Sequence, residues 1–294
     1  MFDNKSSSLN KAIEKYNIYY YCKENNLKKL KRKVLNMKNN KTKQKLIKGE
    51  PVLMAFQTIN DVASAEVIAM SGVDIIAIDN EHYGFDDQDI INISRAVKLR
   101  GGTCLLRTTI KDVKTLSHYM DLGIDGFCAT LTSTVEEAKA VVAATKYYPL
   151  GERGISGMCA GFNYGFTGDM NVAEYMEFLN ENTIIIITLE SEEGIKNAEA
   201  IAKLDGIDCV SVGAADLSLS MGYKADKNHP EVVKLVKEAE RKIIEAGNIT
   251  TVGASTPDEV IKAVEKGEKL LMIGTDLAVI RNTFRNLVQA NKGN

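Results

Sequence analysis

Several features that mark other classes of protein are missing from this chain of 294 residues. It has no Cys-x-x-Cys motif, its five cysteines are an odd number, and three of them lie in or beside apolar runs. This pattern is typical of a reducing compartment. The longest uninterrupted aliphatic stretch, residues 184–187, is far too short to span a bilayer, and no secretory hydrophobic region follows the charged start. We therefore expect a cytoplasmic protein with no membrane partner.

Two further absences bear on the chemistry. No Gly-x-Gly-x-x-Gly motif follows the first apolar run, so dinucleotide binding is unsupported. The apolar runs contain no interior lysine, and only Lys269 lies at the start of the last one. A Schiff-base aldolase needs a lysine that projects into a desolvated pocket. A reaction that needs an electrophilic catalyst would then have to use a metal ion or an arginine.

Positive charge is concentrated at the start of the chain. Residues 1–48 carry 14 Lys/Arg and 3 Asp/Glu, although the whole chain has a formal net charge of −2. A lysine-rich run can mark contact with nucleic acid or an anionic membrane. The simpler interpretation, which we favour, is a solvated, partly helical extension with no nucleic-acid partner.

Eight short apolar runs alternate with amphipathic stretches from residue 51 onward. They span residues 51–57, 73–79, 103–107, 126–130, 184–190, 208–213, 249–253 and 269–274. The runs are nearly continuous, as expected of parallel strands covered on both faces. Helix start signals follow several of them, at Asp61, Thr134, Ser191 and Thr256. This alternation predicts a (β/α)8 barrel in the α/β class, with a doubly wound open sheet as the alternative.

Polar residues end several of these predicted strands, where a (β/α)8 barrel places its active site. Glu190 and Asp216 follow the fifth and sixth runs. Two carboxylates with open positions suit a hard divalent cation, which a 2-oxo acid can also chelate. An ion pair with arginine, or a helix cap formed by Asp216, would explain the same residues without a metal.

Two more candidates come from the second and third runs. Arg107 ends TCLLR, and its guanidinium could stabilise an enolate or form an ion pair with Asp79 or Glu81. His82 follows in IDNEH, flanked by acids, and could act as a general acid or base or simply be solvated. The segment 146–182 is too long to be an inert connection, and we expect it to cover the active face.

A series of motifs resembles one known family. The segments, in chain order, are IDNEH, TCLLR, YYPLGERGISG, TLESEEGIKNAEAIAKLDGIDCVSVGAADLSLSMGY, HPEVVKLVKEAERKIIEAG and MIGTDLAVI. Together they resemble the HpcH/HpaI family of class II pyruvate aldolases, which is related to the citrate lyase β-subunit. The resemblance covers about residue 37 to the end, and Met37 is similar to an ordinary family start. It implies a barrel over residues 37–294 and an extension over residues 1–36.

The resemblance implies a role for ten residues. Glu190 and Asp216 would bind a divalent metal, which could be Mg²⁺, Mn²⁺ or Co²⁺. Arg107 would stabilise the pyruvate enolate, and His82 would act in acid/base chemistry with Asp121, while Asp79 belongs to the same loop motif. The remaining four are assigned to substrate binding, namely Thr188 and the backbone around Gly213, Ala214 and Ala215.

The implied activity is reversible aldol cleavage of a 4-hydroxy-2-oxo acid to pyruvate and an aldehyde, with His82 or metal-bound water as the base. Two departures bear on substrate choice, because the family usually has Gln at Thr188 and Pro at Ala214. A CoA-thioester lyase of the same superfamily is the nearest alternative, and a non-catalytic metabolite-binding barrel is a second. Relatives form trimers and hexamers, so the resemblance also implies a homo-oligomer.

Overall fold

The structure is a computed structural model that describes residues 39–109 and 113–292. The predicted extension, residues 1–36, and the predicted start of the barrel at residue 37 lie outside the described residues. Two described asparagines come just before the first helix, and Asn40 caps it by accepting hydrogen bonds from the backbone N–H groups of Thr42 and Lys43.

Eight parallel strands form one sheet in the order β6-β5-β4-β3-β2-β1-β8-β7. The strands are β1 (Val52–Gln57), β2 (Ile75–Asp79), β3 (Thr103–Thr109), β4 (Gly126–Thr130), β5 (Ile184–Leu189), β6 (Cys209–Val212), β7 (Thr251–Gly253) and β8 (Leu270–Thr275). A single bridge between Cys209 and Ile249 joins the two end strands. The sheet therefore closes on itself, which confirms the predicted (β/α)8 barrel, and every predicted run coincides with a strand to within two residues at each end.

Helices surround the strands. In chain order they are α1 (Lys41–Lys48), α2 (Val62–Met70), α3 (Asp87–Leu99), α4 (Val113–Leu122), α5 (Val135–Thr145), α6 (Val172–Asn182), α7 (Glu192–Ala202), α8 (Ala214–Ser220), α9 (Pro230–Glu245), α10 (Pro257–Glu265) and α11 (Asp276–Lys292). The four predicted start signals are all N-caps, and Thr134 and Thr256 form capping boxes with Glu137 and Glu259. Each cap supplies an acceptor for a backbone N–H that the first turn leaves unpaired.

Two packed layers hold the barrel together. Alternate residues of each strand point inward and form a core that includes Ile75, Leu105 and Ile186, while the others pack against the helices. Helix α1 lies across the N-terminal end of the barrel, because Leu46 joins the inner core and Lys43 forms an ion pair with Asp208. Polar groups at the opposite, C-terminal end of the strands are therefore free to form a site.

The segment 146–182 does not lie where the sequence analysis expected it. Helix α5 follows β4 directly, so the segment begins at the end of a helix and leads through a 3-10 helix (Ala160–Gly165) and α6 into β5. It carries its own small core, in which Phe162 packs edge-on against Tyr147 and Tyr175. The expectation failed because an αβ connection returns to the N-terminal end of a barrel, whereas only βα loops form the catalytic face.

Two remaining expectations concern the interior and the helices. Cys104, Cys128 and Cys209 are buried and carry free thiols, as the apolar runs around them predicted. Burial raises the pKa of both the Cys104 and the Cys128 thiol to about 12. These cysteines therefore behave as small apolar core residues. Across residues 39–109 and 113–292, none of the helices combines the length and the apolar composition that crossing a bilayer requires.

Candidate active site

Arg107 lies at the C-terminal end of β3, beside Asp79 in the register of β2. Its Nε is 2.8 Å from Oε2 of Glu81, and its Nη1 is 3.5 Å from Oδ2 of Asp79. The guanidinium carbon also lies 5.1 Å from the centre of the Phe56 ring. Both of the ion pairs that the sequence left open are thus present. They fix the plane of the guanidinium at the mouth of the barrel.

The turn after β2 presents His82 to this guanidinium. The Asp79 carboxylate accepts hydrogen bonds from the backbone N–H groups of Glu81 and His82, at 3.2 and 3.3 Å. Nε2 of His82 lies 3.1 Å from Nη2 of Arg107. Because a guanidinium can only donate, Nε2 of His82 is the acceptor in this contact. The ring is otherwise half open to solvent, as a proton-transfer group requires.

Glu190 follows β5 and is almost completely buried, with 6% of its surface exposed. Its Oε2 accepts a hydrogen bond of 2.8 Å from the backbone N–H of Leu131. The pKa of Glu190 is raised to about 7, chiefly by burial and also by the Glu81 and Asp216 carboxylates, against the lowering effects of the Leu131 N–H and Arg107. Glu190 is therefore a buried carboxyl group with two carboxylates nearby, one hydrogen-bond donor and no ion pair among the described residues. A bound cation would stabilise its charged form.

Asp216 lies in the first turn of α8. Gly213 occupies the N-cap position and no side chain caps this helix, so the alternative in which Asp216 is the cap is wrong. The Asp216 carboxylate has no hydrogen bond or ion pair with any residue in the described part of the chain. Gly213 also packs against Glu190, since a Cβ built on it would lie 2.6 Å from Cγ of Glu190. The chain therefore brings Glu190 and the start of α8 into direct contact.

This acidic pair has open positions rather than a complete ligand set. Within the described ranges, no three His, Cys, Asp or Glu side chains converge to form a metal site from protein atoms alone. Thr188 lies two residues before Glu190 on β5, and Ala214 and Ala215 open helix α8. Eight of the ten predicted site residues therefore come from β2, β3, β5 and the start of α8 at one end of the barrel, and Gly213 joins them as the cap of α8.

Asp121 is the exception. It lies near the end of α4, where it accepts a hydrogen bond of 2.6 Å from Nη2 of Arg153 and one from Sγ of Cys159 at 3.5 Å. Both partners belong to the segment after α5, and His82 is not one of them. An aspartate at the end of a barrel helix points away from the C-terminal end of the strands, because α4 runs back towards the N-terminal end.

The sequence analysis did not place Glu81 and Phe56 among the site residues. Glu81 holds Arg107 and raises the pKa of Glu190, while Phe56 provides the aromatic face beneath the guanidinium. The position of Glu81 two residues beyond a predicted strand was a signal that could have found it. Nothing in the sequence around Phe56 marks it, because an aromatic residue in an apolar strand is normally core.

A cavity of about 500 Å³ opens at the other end of the barrel, beside Asn40, Lys98 and Arg153. None of the ten predicted residues is among its described lining residues. We base the site on the polar groups at the C-terminal end of the strands, since catalytic groups of such barrels lie there.

The sequence of this chain is similar to those of known proteins. The HpcH/HpaI aldolase/citrate lyase family matches residues 53–283. A 5-keto-4-deoxy-D-glucarate aldolase of Shigella boydii is 28% identical over 86% of this chain and 96% of its own. A 2-keto-3-deoxy-L-rhamnonate aldolase of Klebsiella pneumoniae is 30% identical over 81% of this chain and 88% of its own.

Solved structures show the same likeness. An HpcH/HpaI aldolase/citrate lyase family protein from Burkholderia cenocepacia superposes with a TM-score of 0.77 and 25% identity, over 86% of this chain and 99% of its own. The family match over residues 53–283 includes Arg107 and Glu190. The chain belongs to the HpcH/HpaI aldolase/citrate lyase family, as its motifs predicted.

Proposed function

We infer that this chain is a class II pyruvate aldolase, a carbon–carbon lyase that cleaves or forms 4-hydroxy-2-oxo acids to or from pyruvate and an aldehyde. The observation that carries the inference is the convergence of Glu190, Asp216 and Arg107 at the C-terminal end of the barrel. Neither Glu190 nor Asp216 forms an ion pair among the described residues, and Glu81 fixes the Arg107 guanidinium near them. The names of the two relatives above, aldolases of 5-keto-4-deoxy-D-glucarate and 2-keto-3-deoxy-L-rhamnonate, support the reaction class.

Class II aldolases generally use a divalent metal, and Glu190 and Asp216 fit such an ion. Asp216 has no partner among the described residues, and Gly213 leaves room for Glu190 where any larger residue would displace it. Two oxygen ligands with open positions suit Mg²⁺, Mn²⁺ or Co²⁺, which can keep water and accept substrate oxygens. When bound, the ion would supply Lewis-acid polarisation of the keto group.

Arg107 would stabilise the enolate that forms when the C3–C4 bond breaks. Glu81 holds its Nε and Asp79 its Nη1, and Nη2 lies beside His82. A donor fixed in advance stabilises developing negative charge without reorganisation. The backbone N–H groups of Ala214 and Ala215, which no side chain caps, would hold the carboxylate of the keto acid.

His82 would take the proton of the 4-hydroxyl group during cleavage and return it during synthesis. Its Nε2 is the acceptor towards Arg107, and the same lone pair would take the hydroxyl proton once the substrate replaces that contact. Asp121 is bound to Arg153 and does not contact His82 within the chain. The homo-oligomer, a trimer or hexamer, is proposed from the resemblance of the motifs.

The free, buried thiols of Cys104, Cys128 and Cys209 support the proposed cytoplasmic location. We propose a keto acid and an aldehyde as the small-molecule partners. The family match does not extend to the first 52 residues, and no function is assigned to the basic extension.

Replacement of Arg107 tests the function. We expect Arg107→Ala to lower kcat for cleavage of a 4-hydroxy-2-oxo acid by a factor on the order of one hundred, the usual effect of losing one oxyanion donor. Pyruvate release can be followed by coupling to lactate dehydrogenase. Arg95→Ala is the matched control, since Arg95 lies on α3 and its guanidinium contacts Tyr164 outside the site. That variant should retain wild-type turnover.

Three results would contradict the proposal. Full activity of Arg107→Ala would remove Arg107 from the mechanism. Cleavage of a malyl-CoA thioester without cleavage of 4-hydroxy-2-oxo acids would favour the CoA-thioester lyase. Binding of pyruvate in the presence of Mg²⁺ without release of an aldehyde would favour the non-catalytic barrel.

A further inference from the structure

The cavity beside Asn40, Lys98 and Arg153 lies at the opposite end of the barrel from the proposed active site, and we call it the basal cavity. It has a volume of about 500 Å³ and opens between the start of α1, the ends of α3 and α4, the 3-10 helix and α6. Pockets of roughly 300–1,000 Å³ hold small ligands. The basal cavity is therefore large enough for a metabolite, and the aldol reaction makes no use of it.

Part of the lining of the basal cavity is apolar. It includes Met120 and Ile124, at and just after the end of α4, and Tyr175, Phe178 and Leu179 on α6. The first three of these side chains are buried, and the other two are half-buried. A ligand with an apolar body would cover this surface and remove it from water.

The lining also carries more positive than negative charge. Lys41, Lys98 and Arg153 share it with one described carboxylate, that of Asp125. Lys98 lies 3.2 Å from this carboxylate, whereas Lys41 forms no ion pair with any described residue. Asp121 pairs with Arg153 from outside the lining, so three cations still meet only two carboxylates. The excess positive charge favours an anion in the cavity.

Arg153 is the buried cation of this set. Its side chain is 1% exposed, and its guanidinium carbon lies 4.7 Å from the centre of the Tyr147 ring. Nη2 donates to Asp121 at 2.6 Å, whereas Nε is buried and has no hydrogen-bond partner in the described part of the chain. A guanidinium can only donate, so an unpaired N–H beside a cavity calls for an acceptor from a ligand. An anionic oxygen is the strongest acceptor for it.

The basic start of the chain is a poorer occupant of the basal cavity than a small anion. Asn39 and Asn40 belong to the lining, so the described chain begins at the edge of the cavity. Residues 1–48, however, carry 14 Lys/Arg and 3 Asp/Glu. A segment of that composition would add positive charge to a lining that already has an excess of it.

We propose that the basal cavity is a second binding site, for a small organic anion that combines a carboxylate or phosphate group with an apolar body. Lys41, Lys98 and Arg153 would bind the anionic group, and the apolar part of the lining would cover the body. A neutral molecule would leave the excess charge without a partner, and an inorganic ion would leave the apolar surface in water. The ligand binds without chemical change, and the site does not depend on the proposed aldolase function.

A tryptophan at the rim of the basal cavity can report binding, because the chain has no tryptophan of its own. Leu99 belongs to the lining and is 83% exposed, so Leu99→Trp should not disturb the fold. The anionic probes are 3-phenylpropionate and phenyl phosphate, and the neutral probe is 3-phenylpropan-1-ol. We expect at least one anion to change the tryptophan emission saturably, with a Kd about tenfold or more below that of the alcohol. The anion with the lower Kd identifies the preferred head group.

Val67→Trp is the matched control for the reporter. Val67 is 63% exposed on α2 and is not among the described lining residues. The emission of this variant should not respond to any of the three probes. An equal response of both tryptophans would show that the probes bind the surface at large, and it would overturn the site.

Removal of the lysine charges tests which groups bind the anion. In the Leu99→Trp protein, Lys41→Gln combined with Lys98→Gln should raise the Kd of the anion about tenfold, the scale of lost charge-assisted hydrogen bonds. Lys48→Gln combined with Lys203→Gln removes the same charge outside the described lining and should leave the Kd unchanged. Both pairs of substitutions should leave kcat for pyruvate release at the wild-type value, because none of these lysines belongs to the active site.

A single substitution guards against a loss of structure. Nζ of Lys98 also donates to the Gly123 carbonyl at 2.8 Å, so its replacement could disturb the end of α4. Lys41 is exposed and has no such contact among the described residues. Lys41→Gln alone should therefore raise the Kd of the anion roughly threefold without a change in the urea midpoint.

Several outcomes would overturn the basal site. These are no saturable response to any probe, equal Kd values for the alcohol and the anions, and an unchanged Kd in both lysine variants. Loss of anion binding in Arg107→Ala would also overturn it, since the probe would then occupy the active site. If the wild-type protein has no aldolase activity, the proposed function fails, and the emission titrations still decide the basal cavity.

Discussion

Gly213→Ala is the change whose effect the structure defines most sharply. The backbone at Gly213 has φ of −84°, which alanine also adopts. The new Cβ would nevertheless lie 2.6 Å from Cγ and 2.8 Å from Oε1 of Glu190. Carbon atoms in contact prefer about 3.5–4.0 Å, so Glu190 must move by roughly 1 Å. The effect is therefore steric and directed at one proposed metal ligand.

The displacement has two measurable consequences. The 2.8 Å bond from the Leu131 N–H to Glu190 would be lost, and together with overpacking this should lower the free energy of unfolding by roughly 1–3 kcal/mol. Misplacing a ligand should also weaken Mn²⁺ binding by a factor on the order of 10–100, the range seen when groups that orient metal ligands are changed. Urea unfolding and calorimetric titration with Mn²⁺ measure the two effects separately.

Gly253→Ala is the control for this experiment. Gly253 ends β7 on the inner face, and a Cβ built there meets nothing within 4 Å. We expect wild-type Mn²⁺ affinity for this variant. Gly213→Ala binding Mn²⁺ within about twofold of wild type would refute the steric argument. Failure of wild-type protein to bind Mn²⁺ would instead refute the proposed metal site.

Three further predictions concern stability and assembly. Thr250→Val should raise the free energy of unfolding, measured by urea denaturation, by about 1 kcal/mol, because the buried hydroxyl of Thr250 has no hydrogen-bond partner among the described residues. A lower free energy of unfolding would contradict this. Burial lowers the pKa of Lys146 to about 8, below its model-peptide value of 10.5. Between pH 8 and 10.5 the folded chain then binds fewer protons than the unfolded chain. The free energy of unfolding of the wild type, relative to that of Lys146→Met, should therefore rise with pH in that window, by up to about 1.4 kcal/mol per pH unit. Two proteins whose free energies of unfolding change with pH in the same way would refute this. Phe284 is 65% exposed on α11 beside other exposed apolar residues, so Phe284→Glu should lower the mass seen by light scattering, whereas Gln289→Glu should not; a wild-type monomer would contradict the proposed oligomer.

The local pattern of the chain was sufficient for the fold. Eight continuous apolar runs and the caps at Asp61, Thr134, Ser191 and Thr256 are properties of short segments, and each was found where predicted. The barrel also places the ends of all its strands at one rim, so Glu190 and Arg107 could be assigned to a common site before any distance was known. Strand periodicity and capping depend on neighbours in sequence, which is why they can be read without a structure.

Contacts between distant segments were decided only by the tertiary structure. The pairing of Arg107 with Glu81 and Phe56, the approach of Gly213 to Glu190, and the bond between Ser211 and Thr251 each join residues from different strands or turns. The position of Asp121 against Arg153, and of the long segment after α5, likewise depends on how helices return around the barrel. Such contacts are set by packing and register across the sheet. No sequence window of helix or strand length contains both partners.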